Sequence, residues 1–166
     1  MKTPSTILVP IDMSAFSVTA LVYAQEIAPL FEADVIVVHV VEKDEPAAQA
    51  AGGPKGAATQ DEIDARVKSA LFHLLLDHNV VHQTLKCEVR HGAPVREIVK
   101  AAKDVHADLI VMSTHGRSGL SHVLLGSVAE KVVRFAPCPV LTVKPEEFRE
   151  LVDVREEDIQ GSLHLS

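Results

Sequence analysis

Three stretches carry the residue types from which a small-ligand site can be built. They are Pro10-Ile11-Asp12 directly after one apolar run, Ser113-Thr114-His115-Gly116-Arg117-Ser118-Gly119 directly after another, and Gly126-Ser127-Val128 further on. The second is rich in hydroxyls and holds two glycines, which allow positive φ and close approach of a ligand to backbone N–H groups. Gly126-Ser127 opens a segment of helical period, and a helix start presents unpaired N–H groups and the positive end of the dipole. Phosphate is the natural ligand, and the Ser127 hydroxyl can donate to the same oxygens. On these residues alone a plainer reading stays open, in which Gly119 and Gly126 turn the chain and Ser127 caps a helix. Asp12 can accept from hydroxyl or amine groups of a ligand, help hold a metal ion, or cap the helix that follows. Arg117 offers charge to phosphates or is simply solvated, and His115 is a phosphate donor or a histidine satisfied by backbone.

Other chemistries lack their usual supports. Neither Gly-x4-Gly-Lys-Ser/Thr nor Gly-x-Gly-x-x-Gly after a strand occurs, so P-loop hydrolysis and dinucleotide redox chemistry are not expected. His78 and His82 are four apart, but Asn79 ends their helix and no carboxylate stands at metal-site spacing, so they read as solvent-facing. Cys87 and Cys138 form neither a disulfide framework nor a zinc knuckle, and both read as small hydrophobes in a reducing, cytoplasmic setting. Ser127 lacks the context of a hydrolase elbow and no base-plus-orienter pair accompanies it. The formal net charge of −7 and an aromatic content of 4% with no Trp argue against nucleic acid. No apolar run approaches the roughly 20 residues of a membrane span.

The elements that must position these residues follow from periodicity. Short apolar runs alternate with segments of helical period, the mark of βαβ units on a parallel sheet. Strands are expected over residues 7–11, 34–41, 84–90, 109–112 and 139–143. The first helix starts at a Ser14 cap with Phe16, Ala20, Ala24, Ile27 and Phe31 as its apolar positions, and the second carries Ile63, Val67, Ala70 and Leu74 and ends near His78. The third opens on Pro94 with Val95, Ile98, Val99, Ala102 and Val105 as a stripe, and the fourth runs from about Ser127 to Phe135 with Val128, Val132 and Val133 inward. Residues 43–60, with 6 Ala, 3 Gly and 2 Pro and no apolar period, read as a mobile loop. Unbroken apolar strands belong at the centre of a sheet, and strands with one wet face or a proline at the edge. A doubly wound α/β fold with five parallel strands in order 3-2-1-4-5 and helices on both faces satisfies this. Its switch point falls between strands one and four, where such sheets bind ligands.

Residues 113–144, with Val9 to Ser14 read as VPIDMS and Val37 to Glu42 as VVHVVE, resemble the universal stress protein family in its ATP-binding subgroup. The family signature Gly-x2-Gly-x9-Gly-Ser/Thr is matched by Gly116, the nine residues that follow it, and Gly126-Ser127; Ser113 stands where its opening glycine would be. A serine offers the same N–H and is strained only if the position needs positive φ. The resemblance implies a Rossmann-like domain over residues 1–145, followed by an acidic extension over 146–166. It implies that Pro10, Ile11, Asp12 and Val40 surround adenine and ribose. It places Met112, Ser113, Thr114, His115, Gly116, Arg117 and Ser118, with Gly126, Ser127 and Val128, around ribose and phosphates. Mg or Mn is then carried by the phosphates of ATP, ADP or AMP, with Asp12 a candidate protein ligand. Family members are usually homodimers, and an edge strand from Pro139 to Val143 gives a physical route through its unpaired backbone groups.

The expected function is therefore a stress-response or regulatory module that holds ATP and acts through its bound state and protein partners, with at most weak hydrolysis. Two alternatives stand beside it. One is a slow ATPase or phosphotransferase in which Asp12 or His115 activates water or an acceptor. The other is a nucleotide-free dimer, for which Ser113 is the hint. Residues 113–144 hold 4 bases and 1 acid, whereas residues 145–166 hold 7 acids and 2 bases, so the basic charge is concentrated where phosphate is expected. The acidic segment reads as a solvated extension or as a docking segment using Leu151, Val152, Val154 and Ile159.

Overall fold

The computed structural model describes residues 3–42, 59–78, 80, 85–114 and 126–144. In chain order these form β1 (Thr6–Ile11), α1 (Ala15–Phe31), β2 (Asp34–Val41), α2 (Gln60–Asp77), β3 (Lys86–His91), α3 (Pro94–Asp104), β4 (Leu109–Ser113), α4 (Ser127–Phe135) and β5 (Val140–Val143). All five strands are parallel in one sheet of order β3-β2-β1-β4-β5. The expected topology is the one observed, and its cause is visible in the strand side chains. Ile7, Val9 and Ile11 of β1, with Val37 and Val111, pack against α1 and α2, while Leu8, Ile36, Val38, Ile110 and Met112 pack against α3 and α4. Strands buried on both faces have no polar side, which is why their sequences are continuous runs. The chain steps from β1 towards β3 on one side and then from β4 to β5 on the other. Right-handed crossovers in opposite directions must put the two helix pairs on opposite faces.

The inward faces of the helices differ from the expected stripes. In α1 the buried residues are Ser17, Val18, Ala20, Leu21, Ala24 and Ala28, whereas Phe31 is exposed and Phe16 and Ile27 are only half-buried. Small residues let the helix approach the sheet closely, so the bulkier Phe16, Ile27 and Phe31 are left at its flanks. In α2 the buried line is Val67, Leu71 and Leu75, and Ala70 faces out; in α4 it is Ala129 and Val132, and Val133 is exposed. In α3 it is Ile98, Ala101 and Ala102, with Val95, Val99 and Val105 at the margin. β5 begins one residue later than expected, because Pro139 has no N–H to add to the ladder, although its carbonyl accepts from Ile110 at 3.0 Å. α2 begins at Gln60, inside the segment expected to be loop, because Thr59 and Glu62 form a reciprocal capping box. The rest of that loop, residues 43–58, lies outside the described residues, as do residues 145–166 and His82.

The two sheet edges are treated differently. β3 is charged: Arg90 donates to Glu88 and to Asp104 at the end of α3, both at 2.7 Å, and the exposed Lys86 and Asp34 lie 3.8 Å apart. Charges on an edge discourage pairing with another chain, and the Arg90–Asp104 bond also ties the edge strand to the helix that follows it. β5, reading VLTV, carries no charge.

Hydrogen bonding to Arg90 holds the Asp104 carboxyl below its ordinary value of 3.8. A carboxyl depressed in this way stabilises the fold above its unfolded value and loses that contribution as pH falls through the folded one. Asp104→Asn is therefore expected to be less stable than the parent near neutral pH, with the difference vanishing as pH falls below 3.8, measured by urea unfolding across pH.

Candidate functional site

The site is assembled where three chain segments meet at the carboxyl edge of the sheet. β1 ends at Ile11 and turns through Asp12-Met13-Ser14 into α1. In this turn Asp12 Oδ1 accepts from the Ser14 N–H at 3.1 Å and the Ser14 hydroxyl at 2.5 Å, while Ser14 Oγ accepts from the Ser17 N–H at 3.2 Å as the α1 cap. The expected Ser14 cap is thus present, and the Asp12 carboxylate is oriented by the cap rather than acting as one. Ser17 adds a second tie, donating to the Ser14 carbonyl at 2.8 Å and accepting from the Asp12 N–H at 3.4 Å. Met13 is held at φ 65°, a left-handed conformation that costs a side-chain-bearing residue roughly 1–2 kcal/mol. The Asp12–Ser14–Ser17 bonds offset this strain, which accumulates next to the ligand crevice as it commonly does at functional sites.

The second segment is the end of β4. Ser113 lies in the strand opposite Val143, and both Ser113 and Thr114 are buried. Ser113 is absent from the positive-φ residues, Met13, Glu32 and His106, so the serine in the place of the signature's first glycine is unstrained. The third segment is the start of α4. The Gly126 N–H donates to the Thr114 carbonyl at 2.7 Å, closing the chain back onto the strand end after an excursion of eleven residues. A Cβ at Gly126 would stand 3.0 Å from that carbonyl oxygen, so the glycine is favoured by close approach; its φ of −63° is open to any residue. Gly126 provides no side-chain cap, and the first helical bond runs from the Glu130 N–H to the Gly126 carbonyl at 2.9 Å. The N–H groups of Ser127, Val128 and Ala129 therefore precede the helical ladder and point out of its N-terminus, the arrangement that receives an anion.

Around this crevice Pro10 is buried, while Val40 and Val128 are half-buried and pack with Met112 on the α3/α4 face. Ile11 is different. Its side chain is 3% exposed in the core on the other face, and its carbonyl accepts from His39 Nδ1 at 2.7 Å. What remains for a ligand at Ile11 is backbone proximity. Ser127 is exposed. His115, Gly116, Arg117 and Ser118 lie outside the described residues.

His39 went unnoticed in the sequence although a signal was there: one polar ring inside an unbroken Val/Ile strand has to find a partner when buried. At 2% exposure, its bond to Ile11 locks the ends of β1 and β2 together beneath the crevice. Met13 left no sequence signal, since methionine carries no preference for the left-handed region. The two thiols are free and half-buried; burial raises both, with Lys68 partly opposing it at Cys87 and Asp108 adding to it at Cys138. Such thiols are poorly reactive, in keeping with their reading as small hydrophobes. Among the described residues no group of three or more His, Cys, Asp or Glu side chains is arranged to hold a metal ion, and no helix is long and apolar enough to cross a membrane.

Comparison with known proteins gives a consistent result. The family model described as universal stress protein family matches residues 4–144. The chain is 36% identical to universal stress protein MJ0531 of Methanocaldococcus jannaschii, over 83% of this chain and 81% of that protein. It is 30% identical to universal stress protein MJ0577 of the same organism, over 83% and 93%. The solved structure of MJ0577 superposes with a TM-score of 0.68 at 29% identity, covering 88% of this chain and 99% of that one. A structure described as a universal stress protein in complex with cAMP superposes with a TM-score of 0.57 at 27% identity, covering 85% and 97%. With a family model spanning nearly all the described residues and the same five-stranded order, the chain belongs to the universal stress protein family.

Proposed function

We propose that the protein binds an adenine nucleotide, ATP foremost, with Mg or Mn on its phosphates, and serves as a homodimeric, cytoplasmic stress-response or regulatory module acting through that bound state and its partners. The observation that carries this reading is the junction at the switch point. The uncapped N-terminus of α4 is fixed against the end of β4 by the Gly126–Thr114 bond, with the ordered Asp12 turn at the neighbouring strand end. The residues fit the ligand. The N–H groups of Ser127, Val128 and Ala129 and the Ser127 hydroxyl receive phosphate oxygens, while Pro10, Val40 and Met112 supply an apolar bed and Asp12 a polar group for ribose or base. A nucleotide brings its cation on the phosphates, so no three-residue protein cage is needed. The cAMP complex of a relative supports a cyclic or linear adenine nucleotide as the ligand class.

Holding is favoured over hydrolysis by the disposition of Asp12. The residue that a hydrolytic reading assigns to activating water has Oδ1 committed to Ser14, where it orders a turn. The uncharged β5 edge supports dimerisation. The carbonyls of Pro139 and Val143 accept from β4, so by the alternation of a parallel ladder the backbone groups of Val140 and Thr142 face away from the sheet and are available to a second copy.

Mass spectrometry of the denatured, freshly purified protein is expected to show released ATP, ADP or AMP, and Mg-ATP to raise the melting temperature of nucleotide-stripped protein. Absence of both effects would sink the proposal. Gly126→Val places side-chain atoms against the Thr114 carbonyl and displaces the α4 N-terminus; affinity for ATP is expected to drop about tenfold, the equivalent of one charge-assisted hydrogen bond, with unchanged far-UV circular dichroism. Thr142→Pro removes an outward N–H without touching the β4 ladder, and sedimentation is expected to shift from dimer to monomer. A dimer that survives this change does not use the β5 edge.

A further inference from the structure

Between α3 and α4 runs a groove of about 880 Å³ that the nucleotide reading leaves unexplained. Among the described residues it meets the site at Ser127 and Val128, and it continues away from the carboxyl edge of the sheet as far as Lys103 on α3 and Phe135 on α4. Arg96, Lys100 and Lys103 stand at i, i+4 and i+7 on α3, one stripe of a helix, and Lys131 faces them from α4. Among the described residues Glu42 is the only carboxylate on the lining, so four cations and one anion leave those residues at +3. Nearby acids neutralise part of this: Arg96 lies 3.5 Å from Glu97, and Lys100 is close enough to Asp104 to help lower its carboxyl. Between the cations lie Val99 and Val128, and Phe135 is 57% exposed. A row of cations along an apolar floor suits an extended acidic segment with interspersed apolar side chains.

The chain itself supplies such a segment. Residues 145–166 hold 7 acids against 2 bases, a net −5, with Phe148, Leu151, Val152, Val154 and Ile159 interspersed among the acids. We infer that this C-terminal segment docks within its own chain into the α3/α4 groove, its carboxylates on Lys100, Lys103 and Lys131 and its apolar side chains on Val99, Val128 and Phe135. The chain leaves β5 at Lys144, on the carboxyl edge of the sheet where the groove opens at Glu42 and Ser127. β5 is two strands from β1, roughly 10 Å, and 22 residues reach up to roughly 70 Å when extended, so the connection is easily made. Docking gives the acidic segment a partner of opposite sign and covers the exposed Phe135.

The full chain tests this in two ways. Zero-length carbodiimide coupling of a 1:1 mixture of unlabelled and ¹⁵N-labelled protein is expected to join carboxylates of residues 150–158 to Lys100, Lys103 or Lys131 within single-isotope chains. Mixed-isotope pairs making up about half of the coupled products, the share that random pairing of two copies gives, would mean that the segment seats on a second copy, and coupling spread over Lys68, Lys86 and Lys144 would mean that it seats nowhere; either result overturns the inference. Cleavage at Glu150, Glu156 and Glu157 by a glutamate-specific protease is expected to be at least tenfold slower in the parent than in the Lys100→Glu, Lys103→Glu, Lys131→Glu triple variant. The three lysines are exposed, and should the triple variant not fold, about 0.5 M salt on the parent screens the same contacts, with the free peptide as control. Equal cleavage in parent, variant and salt overturns the proposal.

Discussion

The pairing of β1 on both sides is the constraint on which the rest of the molecule depends. β1 bonds β2 along its whole length and β4 through Ile7 and Leu8, all in parallel, so the chain must leave it in one direction and come back to its other side. That reversal sets which helices lie on which face. It also opens the crevice between the ends of β1 and β4, since the connections leaving these two strands diverge to opposite faces. The carboxyl ends of β1 and β4 and the N-terminus of α4 meet there because of topology, with more than a hundred residues between Asp12 and Gly126.

Within that crevice two local devices turn topology into a site. At the β1 end, a strained Met13 is held by a closed set of bonds among Asp12, Ser14 and Ser17, which fixes the Asp12 carboxylate and starts α1 in the same turn. At the β4 end, one short bond from Gly126 to Thr114 anchors α4 so that its first N–H groups emerge beside the strand. A Cβ here would press on the Thr114 carbonyl oxygen at 3.0 Å and force the two segments apart by a few tenths of an ångström. His39 beneath them fastens β2 to the last carbonyl of β1. Preorganisation of this kind keeps donors in place before a ligand arrives, which lowers the ordering cost of binding.

Charge is arranged by place rather than by sum. The chain carries −7 overall, yet four cations line the α3/α4 groove and the last 22 residues carry −5. The two sheet edges are likewise unlike, one laced with Arg90, Glu88 and Asp104, the other an uncharged VLTV. An edge with internal ion pairs resists intermolecular pairing, whereas a short uncharged edge permits it.

Much of the architecture was legible in the residues alone. Continuous Val/Ile runs marked central strands, alternation marked β3 as an edge, and Ser14, Pro94 and Gly126-Ser127 marked helix starts, because these signals are local and depend on period, φ preference or missing donors. The switch point followed from strand order without any coordinates. The inward faces of α1, α2 and α4 were misjudged by a residue or so, because a helix with apolar residues on several sides chooses its face by how closely it can pack against a particular sheet. The reasons for Gly126 and Met13, and the identity of the partner that His39 finds, were out of reach for the same cause. Each is explained by a contact with a backbone carbonyl or side chain brought close only by folding: Thr114 for the glycine, the Asp12–Ser14 bonds for the methionine, Ile11 for the histidine. The sequence by itself determined the elements, their order and the strand ends between which the crevice opens. Tertiary structure alone decided which faces are buried and which bonds hold the site rigid, since both depend on distances between segments far apart in the chain.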